Sequence, residues 1–473
     1  MTSLYADTTT AVGVADSYAG QVASRLDRLP LTRTLWHLVF LISLGGVFEL
    51  YDLFMTAYIA PGLVKSGLFN THPASFFSPD SVGFFVFCTF AGMWLGCIVF
   101  GSIADRHGRR WMFTFSLVWY SLATLAMACQ TTAAGIVAFR FIAAVGIGLE
   151  QVTIDTFLTE LVPPQSRGKA FAFYQFIEFL IVPVVALLGW LLVPISPFGI
   201  DGWRWVAGIS AVGAIAAWWM RRGLPESPRW LALHGRDGEA ERIMRDIETK
   251  IARDVGVAAL PKAPPADAVV ADGKFSELFA GPYRKRTIVL SVFNLMQTIA
   301  FYGFGAWVPT LLIAKGIHVT TSLQYSFIIA LANPVGPLLG IWIADRMERK
   351  WQIVSAGVGI GIFMLIFAQQ THPSLIIVFG VLVTLFNNWI SFVFHGFQAE
   401  QYPTRIRARA IGFVYSWSRV SAALAGLFIG FFLHEGGTLG VAMFIGAAML
   451  VMIVAVGAFG PRTLNRSLED LNR

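Results

Sequence analysis

Ala104-Asp105-Arg106-His107-Gly108-Arg109-Arg110 separates two apolar runs, and Ala344-Asp345-Arg346-Met347-Glu348-Arg349-Lys350 separates two more, 240 positions later. A second pair keeps the same 240-residue offset: Glu160-x-x-Pro163-x-x-x-Arg167 and Glu400-x-x-Pro403-x-x-x-Arg407. Basic anchors alone would account for the Lys and Arg of these stretches, but not for the matched Asp, Glu and Pro. Two motifs at one offset, about half of the 473 residues, predict two similar halves. Halves related by an axis along the membrane normal can rock about a central site and expose it to each side in turn.

Composition supports a membrane setting. Hydrophobic residues make up 56% of the chain, glycine adds 45 positions, and charged residues are only 13%. A soluble core of this size could not hide so much apolar surface. A soluble enzyme, a disordered chain and a nucleic-acid binder are therefore excluded, and lipid is the matching solvent. A spanning helix needs about 20 apolar residues. Twelve apolar runs are legible, near 34–60, 79–104, 111–130, 133–159, 169–194, 203–222, 286–311, 322–344, 351–369, 373–397, 409–433 and 438–460. The expected fold is an all-α membrane protein of twelve transmembrane helices in two six-helix bundles. An open sheet would strand backbone polar groups in hydrocarbon.

With both termini inside, the inner segments carry 30 of the 35 Lys and Arg, and the outer loops hold only Lys65, Arg204 and Lys315. That asymmetry predicts the orientation and explains the net charge of +7 as a bias towards anionic lipid. Residues 1–33 read as a disordered cytoplasmic tail, 34–222 as the first bundle, 223–286 as a central cytoplasmic loop, 287–460 as the second bundle and 461–473 as a tail. Within the loop, Ile243, Ile247 and Ile251 recur at helical spacing, which predicts an amphipathic helix against the inner face. Cys88, Cys97 and Cys129 read as small core hydrophobes. Gly92-x-x-x-Gly96 and Gly357-x-Gly359-x-Gly361 read as close helix contacts.

Gly101-x-x-x-Asp105-Arg106-x-Gly108-Arg109-Arg110 resembles the loop signature of the major facilitator superfamily at every position. The second copy departs from it at Ile341 and Glu348. Pro225-Glu226-Ser227-Pro228-Arg229-Trp230-Leu231 resembles the signature of the sugar-porter and organic-ion-transporter branches, as does Arg140 with Gly146 and Gly148. The likeness spans roughly 30–460 and implies a multi-pass secondary transporter in a bacterial inner membrane. It also implies a gate on the inner face. Asp105, Arg106, Arg109, Arg110, Glu160 and Arg167 in the first half, and Asp345, Arg346, Arg349, Glu400 and Arg407 in the second, would latch one helix end to another.

A charge at the bilayer centre costs about 2.5–3.5 kcal/mol on insertion scales, so such groups face a cavity or a partner. Glu49 and Asp52 stand three apart on one face of the first run. Such a carboxylate pair is suited to carry a proton near neutral pH. Arg140 in the fourth run lies at a similar depth, and an Asp52–Arg140 ion pair would break on protonation. In proton-coupled sugar porters an Asp and an Arg stand at matching positions, so the resemblance implies proton coupling by Asp52 and Arg140, with Glu49 as their neighbour or a substrate contact. Arg419, in Tyr415-Ser416-Trp417-Ser418-Arg419, has no acid in its own run, and a substrate carboxylate would satisfy it. Its position resembles the Arg of organic-anion transporters. Gln175, Glu178, Gln297, Tyr302, Asn333, Asn388, Trp389 and Tyr51 complete the candidate substrate set, the aromatic rings as stacking surfaces. These charges are expected to share one aqueous chamber. His395 reads as a core or gate residue.

Several marks of hexose binding are missing. Gln297-Thr298-Ile299-Ala300-Phe301-Tyr302 lacks a paired Gln, and Asn387-Asn388-Trp389 stands where Gly-Pro-x-x-Trp would be expected. An intramembrane Arg in each half favours a small organic anion, and the resemblance is closest to bacterial aromatic-acid and niacin-type symporters. The expected function is proton-coupled uptake of a small aromatic carboxylate by a monomer. A sugar or polyol symporter and a proton-coupled exporter are the alternatives. The expected partners are that substrate, protons and the lipid bilayer, without nucleic acid, cofactor or metal. No zinc-type spacing or Gly-x-Ser-x-Gly elbow suggests an enzyme.

Overall fold

The computed structural model describes residues 18–70, 77–220, 223–258, 260–263, 274–338 and 347–461. Side chains are not described at 100–105, 212–214, 216–217, 220, 282, 399, 404–405 and 408. The chain is all-helical among these residues, apart from one isolated bridge between Asn70 and Ser81. Its helices form the two six-helix bundles expected. Nine described segments are individually long and apolar enough to cross a membrane, and the last, Arg409–Phe459, contains both final spans.

The first half contains α1 (Tyr18–Asp27), α2 (Arg33–Lys65), α3 (Val82–His107), α4 (Arg109–Ala128), α5 (Ala133–Leu161), α6 (Arg167–Phe179), α7 (Ile181–Leu192) and α8 (Gly202–Met220). Two helices of the central segment follow, α9 (Pro228–Leu233) and α10 (Asp237–Val255). The second half contains α11 (Gly281–Gly305), α12 (Val308–Ala314), α13 (Val319–Ala330), α14 (Arg349–Gln369), α15 (Pro373–Glu400) and α16 (Thr404–Phe459). Three of the apolar runs are interrupted. The fifth breaks at Leu180 beside Pro183, the seventh at Ala306–Trp307 beside Pro309, and the eighth after Ala330 beside Pro334. Proline lacks the N–H that a continuous helix needs. The eleventh and twelfth runs join as α16, whose bend is at Gly437 with φ +58.

Glycine sets the tightest contact within the first half. A Cβ on Gly96 would stand 2.1 Å from the Val145 carbonyl oxygen, and one on Gly148 2.1 Å from that of Met93. The α3 and α5 backbones therefore touch directly, as the Gly92–Gly96 spacing predicts. Gly357 and Gly359 are likewise crowded, by Met452 and Phe386, but Gly361 faces open space and is no close contact.

The tail expected to be disordered is corrected over part of its length. Residues 18–27 are helical, and α1 buries Val22 and Leu26 against α9 and α10. Arg25 donates to Glu241 at 2.6 Å and to Glu248 at 2.6 and 3.1 Å, and Arg28 donates to Glu248 at 2.6 Å. Arg229 pairs with Asp27. The apolar face of α10, with Met244, Ile247 and Ile251, packs on this cluster rather than on the membrane surface. Cys129 is also corrected: it is exposed, because it occupies the turn that ends α4, whereas Cys88 is buried.

Candidate functional site: charges at the meeting of two halves

Asp52 sits within the first half, on the buried face of α2. Arg140 on α5 donates to its Oδ2 at 2.6 Å and to its backbone carbonyl at 3.0 Å. Thr124 of α4 and Ser210 of α8 donate to Oδ1 at 2.9 and 3.1 Å, and Arg140 Nε reaches Thr89 of α3 at 3.1 Å. Both side chains of the pair have 0% exposure. Three hydroxyl and guanidinium donors thus compensate a desolvated carboxylate, the condition under which a buried pair is tolerated. Thr89 also lines a small cavity shared with Phe90 and with Tyr302 of the other half, so this hydroxyl connects the pair to the interface.

Glu49 does not join that pair, although it shares the α2 face. The charges it senses most strongly are Glu178, Glu150, Arg419 and Asp155. It has 1% exposure, and neither carboxylate oxygen has a hydrogen-bond partner. Glu178 on α6 lies beside Tyr174 and the same group of charges. The expectation of one chamber for Asp52, Arg140 and Arg419 is therefore corrected. Asp52 and Arg140 are sealed within the first bundle by hydroxyls, and Arg419 belongs to the Glu49 cluster.

Arg419 crosses between the halves. From α16 it donates to the Gln151 side chain on α5 and to the Tyr415 hydroxyl at 3.1 Å, with Tyr302 beside it. Its guanidinium lies 5.0 Å from the centre of the Tyr415 ring. Among the described residues no carboxylate stands within ion-pair distance, so its direct partners are neutral. Asp155 on α5 and His395 on α15 also sense Arg419, and both are exposed although they occupy spanning helices. They are related by the 240-residue offset of the repeat.

A second cavity lies beyond Phe301 of α11. Phe54 and Tyr58 of the first half cap it, and Asn333, Thr384, Asn387 and Asn388 of the second half supply its polar wall. The Asn388 amide donates to Asn333 at 3.2 Å, while the side-chain oxygens of Asn387 and Asn388 have no donor. Such acceptors suit a ligand bearing hydroxyl or N–H groups.

The remaining substrate candidates divide. Tyr302 packs 4.5 Å from Phe90 across the interface. Gln297 is buried beside Thr298, and Gln175 is half-buried one turn before Glu178. Tyr51 and Trp389 are corrected. The Tyr51 hydroxyl donates to the Val206 carbonyl at 2.8 Å, and the Trp389 indole donates to Gln352 at 3.2 Å. Each ring turns inside its own bundle because a buried O–H or N–H must find an acceptor. Sequence reading missed Gln151, Tyr415, Thr89, Thr124 and Ser210, since neutral groups carry no mark until their helix faces are known.

The two halves meet chiefly away from the basic loops. A Cβ on Gly83, in the first turn of α3, would stand 3.1 Å from the Gly426 carbonyl oxygen of α16, and Trp190 stacks on Phe327 at 5.8 Å. Near the basic loops the ion pairs stay within one half. Arg109 donates to Glu160 at 2.9 and 3.1 Å, and Arg349 pairs with Glu400 at the equivalent position. Arg167 and Arg407 make equivalent bonds, to the carbonyls of Val162 at 3.2 Å and Tyr402 at 3.1 Å. Glu226 accepts from the backbone N–H groups of Arg109 and Arg110, where Gly108 turns at φ +94. Among the described residues these contacts join helix ends inside each bundle. Arg106 is exposed, as is the Arg110 side chain. The Asp105 side chain, Asp345 and Arg346 lie outside what is described.

Comparison with known proteins fits this arrangement. The model of the family "Sugar (and other) transporter" matches residues 38–473. The chain is 31% identical to the protein YyaJ of Bacillus subtilis over 93% of this chain and 95% of that one. It is 28% identical to the niacin transporter NiaP of Acinetobacter baylyi, covering 95% of this chain and 99% of that one. In three dimensions it resembles the partially occluded inward-open xylose transporter XylE from E. coli, with a TM-score of 0.74 at 17% identity, over 92% of this chain and 99% of that one. A paired-bundle fold, a repeat kept down to individual ion pairs and a family match over nearly the whole length agree: the chain belongs to the sugar (and other) transporter family of the major facilitator superfamily, whose members are transporters and not enzymes.

Proposed function

We propose that this transporter takes up a small aromatic carboxylate together with protons. The basic face lies in the cytoplasm, with both termini inside. The observation that carries the reading is Arg419, a buried guanidinium between the two halves whose direct partners are all neutral. A substrate carboxylate could replace Gln151 with two parallel charge-assisted bonds. Tyr302 and Tyr415 beside it offer faces for an aromatic ring. The niacin transporter among the relatives carries a ligand of this kind.

In this scheme Asp52 and Arg140 couple the proton. Protonation of Asp52 would release Arg140, and Thr89 links that event to the interface. The ion pairs near the basic loops hold helix ends rigid within each half. A membrane potential of 100 mV is worth about 2.3 kcal/mol per charge moved, or roughly 50-fold accumulation. With a monoanion and one proton only the pH gradient drives uptake. A second reading, a polyhydroxy ligand, is favoured by the uncharged amide wall of Asn333, Asn387 and Asn388.

The test is flux into right-side-out proteoliposomes under an imposed pH gradient, with labelled benzoate and xylose as probes. Benzoate should accumulate, and Arg419→Ala should weaken its binding more than tenfold. Accumulation of xylose with no benzoate flux would replace this reading with the second one.

A further inference from the structure

The central cluster holds more carboxyl groups than its one guanidinium can pair with. Glu49, Asp155 and Glu178 converge electrostatically on Arg419 from α2, α5 and α6. Glu150 adds a further carboxyl group, which accepts from Ser116 at 3.3 Å. Glu178 lies beside Tyr174, and Tyr174 packs tightly over Gly46, one turn before Glu49. Glu49 differs from these neighbours. It is buried to 1% exposure, and neither of its oxygens meets a donor.

A buried carboxylate without a donor is costly, and burial of an unpaired polar group is avoided wherever a partner can be supplied. No side chain of the described residues supplies one here, and a donor on the ligand would. A ligand that carried only a carboxylate to Arg419 would leave Glu49 without a donor. A ligand that also brought a positive nitrogen would satisfy both ends.

We infer that the substrate is amphoteric: its carboxylate faces Arg419, and a protonated nitrogen at the other end of the molecule faces Glu49, with Glu178 beside it. This rests on the carboxylate reading above and narrows it. Arg419 and Glu49 act as two poles, one on each half, so the same ligand would draw the bundles together by contacting both. A molecule with only one of the two groups would engage only one half.

The experiment uses the full-length protein in nanodiscs and three probes of similar size: benzoate, benzylamine and 3-(aminomethyl)benzoate. Binding is measured by calorimetry at neutral pH. Charge-assisted hydrogen bonds are strong enough to give more than tenfold discrimination. The aminomethyl acid should bind more than tenfold tighter than either single-charge probe. Glu49→Gln should bring its ratio to benzoate down to within about threefold. Glu178→Gln, which leaves Glu49 in place, should reduce the ratio by less and keeps the test open if Glu49→Gln fails to fold. Equal binding of benzoate and the aminomethyl acid to the unsubstituted protein would overturn the inference and leave the carboxylate reading intact. A preference that survives both substitutions would also overturn it, and loss of pH-driven flux in Glu49→Gln with that preference unchanged would make Glu49 a proton carrier instead. Failure of every carboxylate probe to bind would remove both readings together.

Discussion

Replacing Arg25 by alanine tests whether α1 is a docked part of the molecule. Arg25 spans two carboxylates of α10, with three hydrogen bonds of 2.6 to 3.1 Å to Glu241 and Glu248. The guanidinium holds the Glu241 carboxyl well below its ordinary range, at about 2, with help from Arg245 and Tyr18. Taken at face value, a drop from 4.5 to about 2 corresponds to about 3.4 kcal/mol. That is an upper bound, because the side chains are 20% to 28% exposed, water screens them, and three partners share the effect. A contribution of about 1–2 kcal/mol from Arg25 is the consistent figure. It corresponds to a roughly 5- to 30-fold rise in the opening of α1. Amide hydrogen exchange resolved to residues 18–27 should accelerate by that factor in Arg25→Ala, with the spanning helices unchanged. The pH dependence has a definite sign. Glu241 is depressed in the folded protein, so its contribution is present in full above its unfolded value and fades as pH falls towards about 2. The difference between the two proteins should therefore persist from pH 7 down to pH 4. Unchanged exchange, or a difference that vanishes near pH 5, would refute the docking argument.

Two further perturbations address the bundles. Asp52→Asn removes the charge opposite Arg140 and leaves the guanidinium buried among neutral acceptors, and breaking such a pair costs about 3–5 kcal/mol. Thermal unfolding in detergent should report that loss, pH-driven accumulation should disappear while exchange persists, and adding Arg140→Gln should restore part of the stability. Gly148→Ala would set a methyl 2.1 Å from the Met93 carbonyl oxygen, so α3 and α5 must separate. Overpacking of this kind costs about 1–3 kcal/mol, readable as a lowered unfolding temperature.

The architecture was legible because its causes are written along the chain. Hydrophobic length specifies the spans, Lys and Arg label their ends, and the repeated Glu160 and Glu400 meet Arg109 and Arg349 as their common offset suggests. The Asp52–Arg140 pair was legible for a similar reason, since two isolated charges in hydrocarbon must find each other. What escaped was rotation about helix axes. Tyr51 adjoins Asp52 and Trp389 adjoins Asn388, yet a step of one residue turns a side chain by about 100° and sent both rings elsewhere. Glu49 escaped for the same reason, since shared face did not mean shared neighbours. The α1 helix was hidden because its partners Glu241 and Glu248 lie more than 200 residues away, so a short polar segment gave no local sign of burial.

The collar formed by α1, α9 and α10 shares its apolar core with the basic end of the first bundle, where Leu35, Phe113, Phe157 and Leu161 join it. A segment packed on one bundle in this way would move with it when the second bundle swings. Spectroscopic labels on α1 and α10 would keep a fixed separation through the whole cycle, which makes the collar a ruler from which the swing of the other lobe can be measured.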